Sequence, residues 1–243
     1  MKTFADKIIA FNTQLDYKGV LPHGIRVMNP FKENKEILPI SSGFYRKYYD
    51  DLSPRHLILG INPGRFGAGV TGIPFTDPKR LIEKCVLEFH GDLKHEPSSV
   101  FVYKVIDAFG GATAFYRKFY INSVCPLGFT ALGPTGRAIN YNYYDLLNPR
   151  HEKNPDEGLS LDKTTLINFI VENIQKQIAM GVKTDVCFCF GTGKNESFLQ
   201  RLNNEKKFFG KIVALEHPRF VMQYKTRVKQ DYIDKYISAF SEV

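Results

Sequence analysis

Four short apolar runs, at residues 56–62, 119–125, 185–191 and 211–216, constrain this chain most. Each is compact, β-branched or aromatic, and nearly continuous rather than alternating. Strands buried on both faces of a parallel sheet read this way. Helical patterns lie between the runs. Leu166, Ile170, Ile174 and Ile178 form one apolar stripe at four-residue spacing, and Gly181 is placed to end it. Residues 100–109 predict a second helix, closed by Gly110-Gly111, and residues 192–202 a third. Tyr232, Ile233, Tyr236, Ile237 and Phe240 predict a closing helix. Strands alternating with helices imply an α/β fold: a three-layer α/β/α sandwich around a short four-stranded parallel sheet. The 243 residues suffice for one core, and no composition break divides them, so 1–243 is expected to be a single domain. Residues 128–159, rich in Gly, Pro, Asn and Tyr, read as a long surface excursion with at most a short helix near Tyr143.

The formal net charge is +8. Such an excess favours an anionic partner, with nucleic acid the commonest, or marks a merely soluble basic protein. The spacing of Cys85, Cys125, Cys187 and Cys189 fits no zinc or iron–sulfur framework. The last two read as small buried hydrophobes on a strand, which fits a reducing compartment. The N-terminus has no long apolar core, so neither a signal peptide nor a membrane span is expected.

Ligands of open α/β sheets bind beyond the carboxyl ends of the strands. Three of these ends carry distinctive polar residues: Asn62, Asn122 and His217-Pro218. The fourth, Gly191-Thr192-Gly193, is expected to lend support rather than chemistry. The first end continues as Gly60-Ile61-Asn62-Pro63-Gly64-Arg65-Phe66-Gly67 and then Thr71-Gly72-Ile73-Pro74-Phe75. Backbone N–H groups, an amide and an aromatic ring there suit a flat polar heterocycle. The Lys and Ser/Thr of a P-loop are missing, so a nucleoside triphosphate is a poor fit.

These segments resemble the uracil-DNA glycosylase superfamily, and within it the single-strand-selective monofunctional (SMUG) type in a bacterial branch. The first motif is matched by residues 60–67 and 71–75. The uracil-reading motif, Asn-x-Cys-Pro-Leu, is matched by Asn122-Ser123-Val124-Cys125-Pro126-Leu127 with one residue inserted. His217-Pro218 matches the final motif. The matches cover about 25 residues, but their order runs through most of the chain. The mismatch-specific glycosylases share the first motif, yet they have Asn in place of His217 and lack the reading Asn. The iron–sulfur glycosylases are excluded by cysteine spacing.

The resemblance implies monofunctional excision of uracil from DNA in base-excision repair, with 5-hydroxymethyluracil and deaminated purines as further candidate bases. It implies no cofactor and no metal. His217 would donate to uracil O2, and Asn62 would position water, because an amide is too weak a base for more. Asn122 would read the uracil edge and Phe75 would stack on the base. Ile61 would offer a backbone N–H. Gly64 stands where uracil-only relatives carry a bulky Tyr, so it leaves room at the base C5, while Phe66 shapes the loop. Arg65, Arg219 and Lys225 would contact DNA, with Phe220 or Met222 as an apolar wedge. The expected partner is uracil-containing DNA, single- or double-stranded, met by a monomer in the bacterial cytoplasm at the nucleoid.

Plainer roles compete at each position. Asn62 could cap a turn, Asn122 could tie two loops, Phe75 could be core, and His217 could be satisfied at a strand end. The rival class is a non-catalytic module that holds a flipped or abasic nucleotide. A small-molecule α/β hydrolase would want Gly-x-Ser-x-Gly, which is absent.

Overall fold

A computed structural model describes residues 1–147 and 163–243. Among the described residues, seven strands form two sheets: β1 (Ile25–Met28), β2 (His56–Gly60), β3 (Phe119–Ser123), β4 (Gly128–Leu132), β5 (Ala138–Tyr141), β6 (Lys183–Phe190) and β7 (Lys211–Leu215). The central sheet is parallel, in the order β3-β2-β6-β7. It is built from the four apolar runs. All residues of β2 and β3 are buried, which is why their apolar residues run on consecutively rather than alternating. The strands stop one to two residues before the expected ends, because Ile61-Asn62 and Val124-Cys125 already turn out of the sheet.

Helices cover both faces, giving the three expected layers. Successive residues of a strand point to opposite faces, and β3 shows this directly. Phe119 meets Phe240 of the closing helix Lys229–Ser241, with ring centroids 4.7 Å apart. Tyr120 meets Phe4 and Tyr49, from helices Phe4–Gln14 and Ile37–Tyr49. The Leu166 stripe lies on helix Lys163–Ala179, and Gly181 ends it with φ +103°. The second and third helical patterns become Pro97–Ala108 and Lys194–Lys206.

Residues 128–141 depart from the expected surface excursion. They form a hairpin, β4 to β5, which adds to β1 in a three-stranded antiparallel sheet. The turn runs through Gly133 and Gly136, the latter at φ +71°. Its Gly and Pro therefore punctuate two paired strands rather than a structureless loop. A short helix, Tyr143–Leu147, follows as anticipated. The remainder of the expected excursion, 148–159, lies outside the described residues. Among the described residues, no helix is long and apolar enough to cross a membrane.

The chain leaves β2 for β3 on one side and later places β6 on the other. Loops thus diverge from a switch point at the carboxyl ends of β2 and β6, where such sheets hold ligands.

Candidate active site

A cavity of about 510 Å³ opens at that switch point. The loop after β2 supplies Ile61, Asn62, Pro63, Gly64, Pro74 and Phe75. The end of β3 supplies Ser123, and the turn after β7 supplies His217, Arg219 and Phe220. The three expected segments therefore converge. A fourth wall was not anticipated: Asn140 comes from β5, Asn142 and Tyr144 from the start of the short helix that follows it, and Glu96 and Ser98 from the N-cap and first turn of helix Pro97–Ala108.

Asn62 is held at both ends of its amide. Oδ1 accepts from the Tyr143 N–H at 3.1 Å, and Nδ2 donates to the Tyr141 carbonyl at 3.2 Å. The side chain thus clamps the loop after β2 to the exit of the hairpin. It still lines the cavity, and Oδ1 keeps a second lone pair.

His217 is the N-cap of helix Pro218–Tyr224, and its Nδ1 accepts from the Arg219 N–H at 3.1 Å. A ring nitrogen that accepts carries no proton, so the proton of the neutral ring sits on Nε2. Burial, with the Arg219 guanidinium adding to it, pushes the imidazolium pKa down to about 4. At neutral pH this His is uncharged, with one N–H to give.

Phe75 adopts φ +53°, a left-handed conformation uncommon for a non-glycine residue. Its ring packs on Phe190 at 5.5 Å and against His217 at 5.7 Å. It also lies across Gly60, where a Cβ would come within 2.8 Å of the ring. A glycine at the end of β2 is what allows that approach.

Asn122 does not reach the cavity. Its Nδ2 donates to the Tyr120 hydroxyl at 2.8 Å, and its Oδ1 accepts from the Ser123 N–H at 2.8 Å. It lines a separate space of about 20 Å³ behind Pro63 and Pro74. The next residue, Ser123, takes the cavity face, since neighbours on a strand point opposite ways. Counting back from Cys125 without an insertion also puts Ser123 at the family's reading position.

The DNA-facing expectations divide likewise. Arg219 and Phe220 line the cavity and are exposed, and Phe220 leans on Tyr224 at 5.5 Å. Met222, the other candidate wedge, is half-buried against the core and is not among the residues that line the cavity. Phe66 stands outside the cavity, 38% exposed, with the Arg65 guanidinium 4.4 Å above its ring. Lys225 caps the end of helix Pro218–Tyr224, beyond the cavity lining.

Glu96 had no signal in the sequence. Its N–H donates to Asp77 Oδ2 at 2.8 Å, and the Ser99 hydroxyl donates to its Oε2 at 2.9 Å. Burial opposes ionisation of Asp77, but hydrogen bonds from Arg80 and the Glu96 N–H outweigh it and hold that carboxyl low. Glu96 lacks such a cation. Burial, against the Ser99 hydroxyl and with Asp77 adding to it, raises its carboxyl to about 7.

Comparison with known proteins agrees with the fold. Residues 46–241 match the uracil DNA glycosylase superfamily. The chain is 59% identical to that in the crystal structure of wild-type SMUG2 from Pedobacter heparinus, with a TM-score of 0.91 over 100% of this chain and 98% of that one. No curated protein sequence matches.

Proposed function

This chain belongs to the uracil DNA glycosylase superfamily, and from that premise we propose how its cavity releases a base. The protein is a uracil-DNA glycosylase, a hydrolase of base-excision repair. The reaction breaks the bond from the base nitrogen to sugar C1′. The electron pair leaves with the base, the sugar becomes cation-like, and water adds to C1′ with loss of a proton. The nucleotide must first leave the stack, at a cost of roughly a few kcal/mol in a duplex.

His217 carries the chemistry in this reading. Its neutral imidazole donates from Nε2 to the oxygen where the leaving base gathers negative charge. A donor already in place needs no reorganisation as the bond breaks. Asn62 positions the water with the free lone pair of Oδ1. An amide is barely basic, so the bond is largely broken before water attacks. Phe75 stacks on the base, Ser123 meets its polar edge in place of Asn122, and Ile61 adds backbone contacts. Gly64 leaves room for 5-substituted uracils. Phe220 is the wedge, and Arg65, Arg219 and Lys225 hold phosphates. The protein acts as a monomeric single domain on cytoplasmic, nucleoid DNA.

The observation that carries the reading is the Arg219 N–H on His217 Nδ1, which fixes the tautomer. The test is uracil release from a labelled oligonucleotide, followed by alkali cleavage. Wild type is expected to cleave, with His217→Ala and Asn62→Ala far slower. Equal rates in all three would place the chemistry elsewhere.

A further inference from the structure

Glu96 has no part in the steps above, yet its carboxylate lines the cavity. Among the described residues, its only side-chain hydrogen bond comes from Ser99 to Oε2. Arg219 is felt only through space. The other oxygen is turned to Gly64, where a Cβ would lie 3.1 Å from Oε1 and 3.4 Å from Asn140 Nδ2. One acceptor and one donor thus bracket a single point above Gly64.

Both groups are held from behind. Asn140 Oδ1 accepts from the Arg65 N–H at 3.2 Å, which leaves Nδ2 for that point. Ser99 Oγ accepts from the Asp77 N–H at 3.1 Å, so its own proton goes to Glu96. Asp77 in turn is clamped by Arg80. The gap at Gly64 is therefore a fixed polar notch, not merely empty room.

We propose that Glu96, assisted by Asn140, is a specificity residue. Its carboxylate accepts a hydrogen bond from a donor beyond C5 of the everted pyrimidine and disfavours a bare C–H or methyl edge there. This rests on the glycosylase reading, with C5 facing Gly64. An ionised carboxylate that loses water against an apolar edge is left unmatched, which is costly. Against an O–H donor the same carboxylate makes a charge-assisted hydrogen bond, about twice as strong as a neutral one. Protonation weakens both effects. Preference for the donor-bearing base therefore rises with pH as Glu96 ionises, near pH 7.

The charged and titratable groups around Glu96 are Asp77, with Arg80 and His95 behind it, and Arg219 and His217 across the cavity. Any effect of these groups that does not pass through Glu96 persists in Glu96→Gln, which the experiment includes.

The experiment measures kcat/KM for 5-hydroxymethyluracil and for uracil, in otherwise identical oligonucleotides, from pH 5.5 to 8.5. In wild type the ratio of the two is expected to rise about tenfold. Glu96→Gln keeps the shape and should make the ratio independent of pH. Glu96→Asp keeps the charge but withdraws it, and should retain a smaller rise. Asn140→Ala should lower the ratio at every pH and keep its slope. A flat wild-type ratio, a slope that survives Glu96→Gln, or uracil release without any 5-hydroxymethyluracil release would overturn the proposal. Absence of uracil release by wild type is a separate result, and would overturn the glycosylase reading beneath it.

Discussion

The two ends of β2 handle buried charge in opposite ways. At the amino end, Arg55 is fully buried and fully used. Its guanidinium bonds both oxygens of Asp51 and the carbonyls of Ser53, Tyr48 and Tyr116, and lies 5.4 Å from the rings of Phe4 and Tyr49. At the carboxyl end the polar groups keep valences open. Among the described residues, His217 has no partner for its second ring nitrogen and Glu96 has none for Oε1, and Phe75 holds a left-handed backbone. A satisfied charge stabilises a fold, whereas an unsatisfied one is a place for a ligand. The same short strand thus anchors the core at one end and borders the cavity at the other.

The contrast breaks most visibly at His217. His217→Ala should lower kcat for uracil release by about 10²–10³-fold, the effect of losing one donor to a developing anion. Its effect on stability should be only about 1 kcal/mol, the loss of a helix cap. Single-turnover kinetics and urea melts measure the two. Arg55→Ala should do the reverse. Stability should fall by on the order of 3 kcal/mol, since several charged hydrogen bonds vanish together. Excision per folded molecule should stay within about twofold.

Adjacent residues on β3 sharpen the comparison. Ser123→Ala should reduce kcat/KM about tenfold with little change in melting. Asn122→Ala should cost about 1–2 kcal/mol of stability, from its bonds to Tyr120 and Ser123, and leave kcat/KM nearly intact. If Asn122→Ala instead abolished activity in a stably folded protein, the assignment of the cavity face would be reversed. Arg219→Ala should have the mildest effect, lowering the slope of log affinity against log salt by about 0.9 for a single lost phosphate contact on duplex DNA.

Acid should act on the open end. The folded-state pKa of His217, about 4, lies below its ordinary value of 6.5. The unfolded chain therefore binds the proton first, and folding is favoured while the ring stays neutral. This stabilisation is complete above pH 6.5 and is lost as pH falls towards 4. Urea melts across that window should show wild type losing more stability than His217→Ala.

The sheet was legible because its information is local. Apolar runs such as Leu57-Ile58-Leu59 announce a strand buried on both faces without reference to any partner. The hairpin was less legible: β4 pairs with β1, about one hundred residues earlier in the chain, and β5 pairs only with β4, across a turn whose Gly and Pro read equally well as loop. Helix Phe4–Gln14 lay outside the sequence reading, although its Thr3–Asp6 capping box is a local signal. At the site, the place of His217 and Asn62 in the cavity wall was legible because motif and strand end coincide. The choice between Asn122 and Ser123 was not, because a one-residue slip exchanges the faces of a strand. Glu96 was invisible: its meaning comes from the approach of residue 96 to Gly64 and Gly67, which no spacing encodes.

Nitrogen-15 NMR of the His217 ring, followed from pH 8 to pH 4, tests the central claim most directly. A neutral imidazole protonated on Nε2, persisting through pH 5 and charging only near 4, is the predicted result. An imidazolium already formed at pH 6, or a ring protonated on Nδ1, would contradict it.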